Sequence, residues 1–202
     1  IQINSPSDNP CIMLDKKDVF VNSNFETTSL VIGIEMLAIA LAHLSRTVNY
    51  RLIRMCMPEF THLPRFLAPR NGSAHGYDEV QNVHSCLDAE NRYLTTPSSV
   101  DFYPMQGSIE DHASNLPLAV TKCRQMVDNL RYLVGMEALF ASQAVDLRKS
   151  DDNGDYVHLG KGTQQAYDVL RAVVPEMKSN RSVYADINKA YQLVLEEKFL
   201  AD

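Results

Sequence analysis

Thr27-Thr28-Ser29-Leu30-Val31-Ile32-Gly33-Ile34-Glu35-Met36-Leu37-Ala38-Ile39-Ala40-Leu41-Ala42-His43-Leu44 opens the stretch that decides the fold. It continues to Met57 without a proline, and Gly33 is its single glycine. Thr27, Thr28 or Ser29 can cap its start, and Pro58 stands just past its end, so a helix is expected over 27–57. Leu30, Ile34, Leu37, Leu41 and Leu44 repeat at helical spacing, while Val31, Ile32, Met36, Ile39 and Ala40 cover the other faces. A helix apolar nearly all round belongs inside a large helical assembly. As a membrane span, Leu30 to Leu44 reads as too short and is interrupted by Glu35 and His43.

Working outward, residues 1–26 are rich in turn formers, with Ser5-Pro6-Ser7-Asp8-Asn9-Pro10 the densest cluster. Cys11-Ile12-Met13-Leu14 and Val19-Phe20-Val21 flank Asp15-Lys16-Lys17-Asp18 as a candidate hairpin. The chain opens Ile1-Gln2-Ile3-Asn4, with neither a basic nor an apolar leader pattern, and is expected to be entered in the middle of a longer sequence. Beyond 57, prolines and glycines make 58–78 a loop, and a shorter helix is expected from Asp78 to Tyr93. After a second loop through Gly107, the longest helix is expected from Ser108 to about Lys149, kinked or closed off in its first turn by Pro117. Leu130, Leu133, Val134, Glu137, Ala138, Ala141 and Val145 read as its packing stripe. A polar loop at Ser150 to Asp155 leads to two amphipathic helices, Thr163–Val174 and Val183–Phe199. The expected fold is all-α, a long-helix bundle with a short β-hairpin near the N-terminus, in one unit over 1–202.

The 202 residues suffice for one core or for one layer of a larger assembly. Hydrophobic residues make up 45% and charged residues 22%, as in an ordinary globular chain, and a net charge of −6 argues against a nucleic-acid partner. Cys11, Cys56, Cys86 and Cys123 are widely spaced without a C-x-x-C pair, which fits buried thiols in a reducing cytoplasm rather than zinc or disulfides. The six histidines form no H-x-x-x-H pair, so no metal is expected. The polar run Ser108-Ile109-Glu110-Asp111-His112 has two readings, an acidic first helical turn or an active-site carboxylate.

The order of short motifs weighs on that choice. Asn4-Ser5-x-x-Asp8-Asn9-Pro10, Asn24-Phe25, Leu63-Pro64-x-Phe66-Leu67, Glu90-Asn91-Arg92 with Pro97 and Ser99-Val100-Asp101, Glu110-Asp111-His112-x-Ser114 and Val145-Asp146-Leu147-Arg148 occur in that sequence. They resemble, in the same order, N-S/A-x-x-D-N-P, G-N-F-H, L-P-x-F-L, E-N-K … H-P-x-S-V-D, N-Q-E-D-H-x-S and A-L-D-L-R of the histidine and phenylalanine ammonia-lyases. The resemblance runs along nearly the whole chain and covers the C-terminal part of the family's sequence.

It implies an all-α homotetramer that takes an amino-acid substrate without membrane or nucleic acid, each site drawing on three subunits. It also implies a 4-methylideneimidazol-5-one (MIO) electrophile formed from Ala-Ser-Gly. No such triplet occurs here. In the family it lies upstream, with the catalytic tyrosine and the carboxylate-binding arginine, so this chain is not expected to act alone. The resemblance makes Glu110, Phe25 and Asn24 the catalytic candidates and Glu110, Ile109 and Ser108 the substrate-binding ones. Glu-Asp-His favours the histidine-like branch, with ammonia lost to give an arylacrylate such as urocanate. Ser108 and Ile109 replace Asn-Gln, Glu26 stands where G-N-F-H has histidine, and His75-Gly76-Tyr77-Asp78 replaces N-S-G-F-M. A 2,3-aminomutase and a non-catalytic scaffold are the competing expectations.

Overall fold

A computed structural model describes residues 2–70, 75–110, 112–150 and 157–200. Among them are six α-helices: α1 (Thr28–Met55), α2 (Pro58–Thr61), α3 (Val80–Leu94), α4 (Leu116–Lys149), α5 (Lys161–Arg171) and α6 (Tyr184–Leu195). A two-stranded antiparallel sheet pairs β1 (Cys11–Met13) with β2 (Asp18–Phe20), Ile12 opposite Val19, as the hairpin pattern predicts. Helix α4 is the spine. It packs against α1, α3 and α6, and α3 also lies on α1.

The long helix starts later than the sequence suggests. Residues 106–108 form a 3₁₀ turn, and α4 begins only at Leu116, so Glu110 is not in its first turn. Gln106, Gly107, Ser108 and Asn115 all have positive φ, which breaks any continuous helix through the region. Pro117 falls within the first two positions of α4, where its missing N–H costs nothing and its fixed φ suits the turn. The 34 residues give a length of about 51 Å, about 12 Å less than a helix begun at Ser108. The loop predicted at 58–78 holds α2 and a 3₁₀ turn at Arg65–Leu67. Most of the polar loop expected at 150–155 lies outside the described residues, as do Gly72 and Asp111.

The core joins the C-terminal half of α1 to the middle of α4. Val48 and Leu52 meet Leu130, Leu133, Met136, Leu139 and Phe140, with Leu170, Met177 and Ala190 closing the other side. Tyr77 stacks on Phe140 with ring centroids 4.5 Å apart. The buried seam of α4 is not quite the predicted one. Val134 and Ala141 are exposed, and Met136, Phe140, Gln143 and Leu147 are buried instead, because the buried positions recur near every 3.5 residues from Met126. Gly135 lets α6 approach: a Cβ there would lie 3.0 Å from the Tyr191 backbone nitrogen. Gln143 is wholly buried and holds the Met177 main chain from both sides, Nε2 donating to its carbonyl at 3.1 Å and Oε1 accepting its N–H at 3.0 Å.

Helix α1 buries a narrow seam, Val31, Ala38, Ser45 and Leu52 at seven-residue intervals, with Val48 and Asn49 beside it. Ile32, Met36, Leu37, Ile39 and Leu44 stay about half exposed or more. With 28 residues and a stretch of mean hydropathy 1.7, α1 is long and apolar enough to cross a membrane by length and composition, which Leu30 to Leu44 taken alone is not. Its lower half belongs to the core just described, and it carries a polar cluster. Asp88 accepts bonds from Ser45, Asn49 and Arg46, and Asn49 in turn bonds Nδ1 of His84 at 2.6 Å. The expectation of buried thiols is met by Cys56 alone; Cys86 is exposed, and Cys11 and Cys123 are partly so.

Candidate functional site

Two irregular segments carry the residues singled out by the resemblance, and each is fixed by side-chain to main-chain bonds. In the first, Asn22 Nδ2 donates to the carbonyls of Pro6 (2.9 Å) and Asp8 (3.1 Å), and Asn24 Nδ2 donates to Pro6 at 3.0 Å. The Asn4 to Pro10 turns therefore serve as the cradle for residues 22–24. Phe25 follows with its ring half exposed. In the second segment, Met105 and Glu110 form an antiparallel bridge, Met105 N donating to the Glu110 carbonyl at 2.7 Å. That closes a tight turn on whose outer side Ser108, Ile109 and Glu110 are exposed. Asn115 anchors the far end through its Nδ2, which donates to the carbonyls of Ser98 and Asp101.

The two segments meet through neighbours of the singled-out residues. His112 Nδ1 lies 3.1 Å from Glu26 Oε2. Glu26 Oε1 accepts both the Thr28 N–H (2.9 Å) and the Thr28 hydroxyl (2.5 Å). Thr27 and Ser114 share a hydroxyl–hydroxyl bond of 2.6 Å, and the Phe102 ring lies 4.7 Å from that of His112. Burial alone would raise the Glu26 carboxyl; the bonds from Thr28 and His112 outweigh it and hold the group below its ordinary value. Chemically the cluster is an ionised carboxylate steering an imidazole, at the junction of an open aromatic and an open carboxylate. Glu26 is visible in the sequence as a departure from G-N-F-H. His112 is visible in the Glu110-Asp111-His112-x-Ser114 motif, but its pairing with Glu26 gives no such signal, because the two lie more than eighty residues apart.

The other motifs serve the scaffold. Glu35 of α1 accepts four bonds from Ser98 and Ser99 and so ties their loop to the helix. Asn129 bridges Glu90 and Asn91. Leu63 and Leu67 are buried in the core. Asp146 binds the Arg171 guanidinium at 2.5 and 2.9 Å and accepts the Tyr167 hydroxyl, which fastens α5 to α4. Burial and that carboxylate push the Tyr167 phenol up to about 12. A cleft of about 830 Å3 lies elsewhere, between α3, α4 and α6, and includes none of the five residues carried over. Among the described residues no three His, Cys, Asp or Glu side chains are grouped to hold a metal ion.

A long central helix flanked by α1, α3 and α6, with the ordered motifs at its approach, defines an aromatic amino-acid lyase architecture. The family model described as "Aromatic amino acid lyase" matches residues 1–172, and the chain belongs to that family. Histidine ammonia-lyase of Alkaliphilus metalliredigens is 33% identical over 99% of this chain and 38% of its own length. Among solved structures, ergothionase of Treponema denticola, an ergothioneine-degrading enzyme crystallised with desmethyl-ergothioneine sulfonic acid, is 46% identical. Its TM-score is 0.88, over 99% of this chain and 39% of that one. Phenylalanine aminomutase of Pantoea agglomerans is 29% identical with a TM-score of 0.85, over 96% and 37%. The chain thus spans under two fifths of the length of the relatives it matches.

Proposed function

We propose that the complete protein is a carbon–nitrogen lyase acting on an imidazole-bearing amino acid, and that ergothioneine, the trimethylated betaine of 2-thiohistidine, is its substrate. The observation that carries this reading is the 46% identity to ergothionase, against 33% to the histidine ammonia-lyase over the same extent of chain. The replacement of Asn-Gln by Ser108 and Ile109, and of histidine by Glu26, agrees with a substrate other than free histidine. In the elimination a base takes the β-proton. The C–N electron pair leaves with the nitrogen, as trimethylamine from the betaine or ammonia from histidine, and an arylacrylate remains.

Glu110 is the carboxylate this chain brings to the substrate, and its exposure on an open turn leaves it available to a pocket completed by other parts of the protein. The family's MIO group supplies electrophilic activation of the substrate when present. Phe25 and Asn24 fit its surroundings: the Phe25 ring is uncovered, and the Asn24 side-chain oxygen has no hydrogen-bond partner among the described residues. Ser108 and Ile109 line the substrate side. The share of the relatives' length that this chain leaves uncovered and the open apolar face of α1 support a larger assembly; the homotetramer, its place in the cytoplasm and its independence of membrane, metal and nucleic acid belong to the same proposal. Four unpaired cysteines agree with that compartment.

The test is to supply the complete protein with ergothioneine and with histidine, and to follow trimethylamine, ammonia and the near-ultraviolet absorbance of the conjugated product. Ergothioneine should have the higher kcat/KM. Preferential conversion of histidine to urocanate would replace this reading with the second one, a histidine ammonia-lyase, which the 33% identity favours. A β-amino acid product would instead reveal an aminomutase.

A further inference from the structure

We propose that Glu26 and His112 form a positioning pair that sets the Phe25 side of the substrate site against the Glu110 side, with Glu26 fixing the proton of the imidazole on Nδ1. The kinetic half of this inference rests on the lyase reading above. Neither segment lies in an α-helix or a β-strand. Residues 22–27 form a loop, 105–110 form a turn bridged at Met105–Glu110, and 112–115 run to the anchor at Asn115. Between those two anchors the contact with the first segment is made by His112 on Glu26 and Thr28 and by Ser114 on Thr27. Phe25 immediately precedes Glu26, and Glu110 lies two residues before His112, so any slackening of the pair is felt by both.

Donor and acceptor chemistry decides what Glu26 does. An ionised carboxylate accepts only. It takes two donors from Thr28 on Oε1 and leaves Oε2 for the ring, so His112 must present Nδ1–H. A histidine at 26, as in G-N-F-H, could not accept three donors at once. Phe102 against the ring restricts it further. Among the described residues Nε2 has no hydrogen-bond partner, and within them the tautomer is set from the Nδ1 side by Glu26. Reacting groups displaced by about 1 Å lose about a hundredfold in rate, so a pair that fixes two loops is felt in kcat more than in binding.

In the complete protein, Glu26→Gln keeps an oxygen for Thr28 and turns an amide donor toward His112. The ring must then accept at Nδ1 and carry its proton on Nε2. ¹⁵N spectra of histidine-labelled protein should show that switch for one histidine, identified by its absence from His112→Asn. Glu26→Gln and His112→Leu should each lower kcat about tenfold or more, with KM changed less than about threefold. The double variant should be no slower than the poorer single, because both remove one contact. His112→Asn, whose amide can replace Nδ1–H, should recover much of the loss seen in His112→Leu. An unchanged tautomer in Glu26→Gln overturns the pair. Single effects that multiply, or a wild-type kcat, overturn the positioning role. A wild-type protein inert toward both ergothioneine and histidine overturns the lyase reading and the kinetic half with it, and the ¹⁵N spectra still decide the pair.

Discussion

Replacing Asp146 by alanine should loosen α5 from α4 by about 3 kcal/mol, and the magnitude follows from what is left behind. Asp146 and Arg171 expose 8% and 13% of their side chains, so both charges are largely out of water. Two charge-assisted bonds join them, Tyr167 adds a third to the carboxylate, and Arg171 Nη1 reaches the Val174 carbonyl at 3.2 Å. Removing one partner of such a pair strands the other charge, which costs about 3–5 kcal/mol. The slight exposure of Arg171 places the effect near the lower end of that range. Native-state hydrogen exchange on the amides of α5 is the suitable assay, since it reads local opening in a protein too large for simple two-state melting. Asp146→Ala should reduce their protection about a hundredfold, 3 kcal/mol being roughly two factors of ten. Arg171→Met should do much the same. The double variant should cost no more than either single, because no buried charge then stands alone. If the double cost equals the sum of the singles, the two residues are not coupled, and the account of how the A-L-D-L-R motif anchors α5 is wrong.

Glu110→Gln in the complete protein should lower kcat about a hundredfold or more with no change in melting temperature, since the side chain is exposed and outside any helix; wild-type turnover would remove Glu110 from the chemistry. His84 is held near pKa 4 by burial, with Asp88 pulling weakly the other way. Below its ordinary 6.5 the unfolded chain therefore binds a proton that the folded one refuses. Stability should fall between pH 6.5 and 4, by up to about 3 kcal/mol, and urea midpoints of His84→Gln should lack that part of the dependence. Gly76→Ala should destabilise by about 2 kcal/mol or more, read in the urea midpoint, because φ is +62° and the added Cβ would sit 2.3 Å from the Phe66 carbonyl oxygen.

What the sequence discloses and what it hides have physical causes. Helix α1 is legible because the prolines lie outside it and its apolar residues recur at helical spacing, and the expected 27–57 differs from Thr28–Met55 by two residues at most. The hairpin at Cys11–Met13 and Asp18–Phe20 is legible because two short apolar runs flank the polar turn Asp15-Lys16-Lys17-Asp18. The start of α4 is not. Ser108-Ile109-Glu110 carries the residue types of a helix N-terminus, and the positive φ values at Gln106 and Ser108 leave no mark in side-chain chemistry. Asn115 before Leu116-Pro117 is the better start signal, an Asn in the left-handed region followed by Pro in the first turn. Val134 and Ala141 of the expected α4 stripe face outward, because a small or branched apolar residue suits either a seam or an open face, whereas Ala138 packs against the core. At the candidate site, Asn24, Phe25, Ser108, Ile109 and Glu110 come from motif order, whereas the Glu26–His112 contact depends on how two distant loops fold back on each other.

Gln143 restricts substitution in a way its distance from the candidate site does not suggest. One amide supplies both the donor and the acceptor that the Met177 main chain needs, in a place no water reaches. Glutamate when ionised has no donor, and leucine or methionine has neither group, although all three resemble glutamine in size. Each would strand one or two main-chain groups at about 1–3 kcal/mol apiece. Shortening to asparagine would pull the amide back by a methylene and stretch both bonds. In a library of random variants, position 143 should therefore tolerate fewer residues than the leucines around it, for which one apolar side chain can stand in for another.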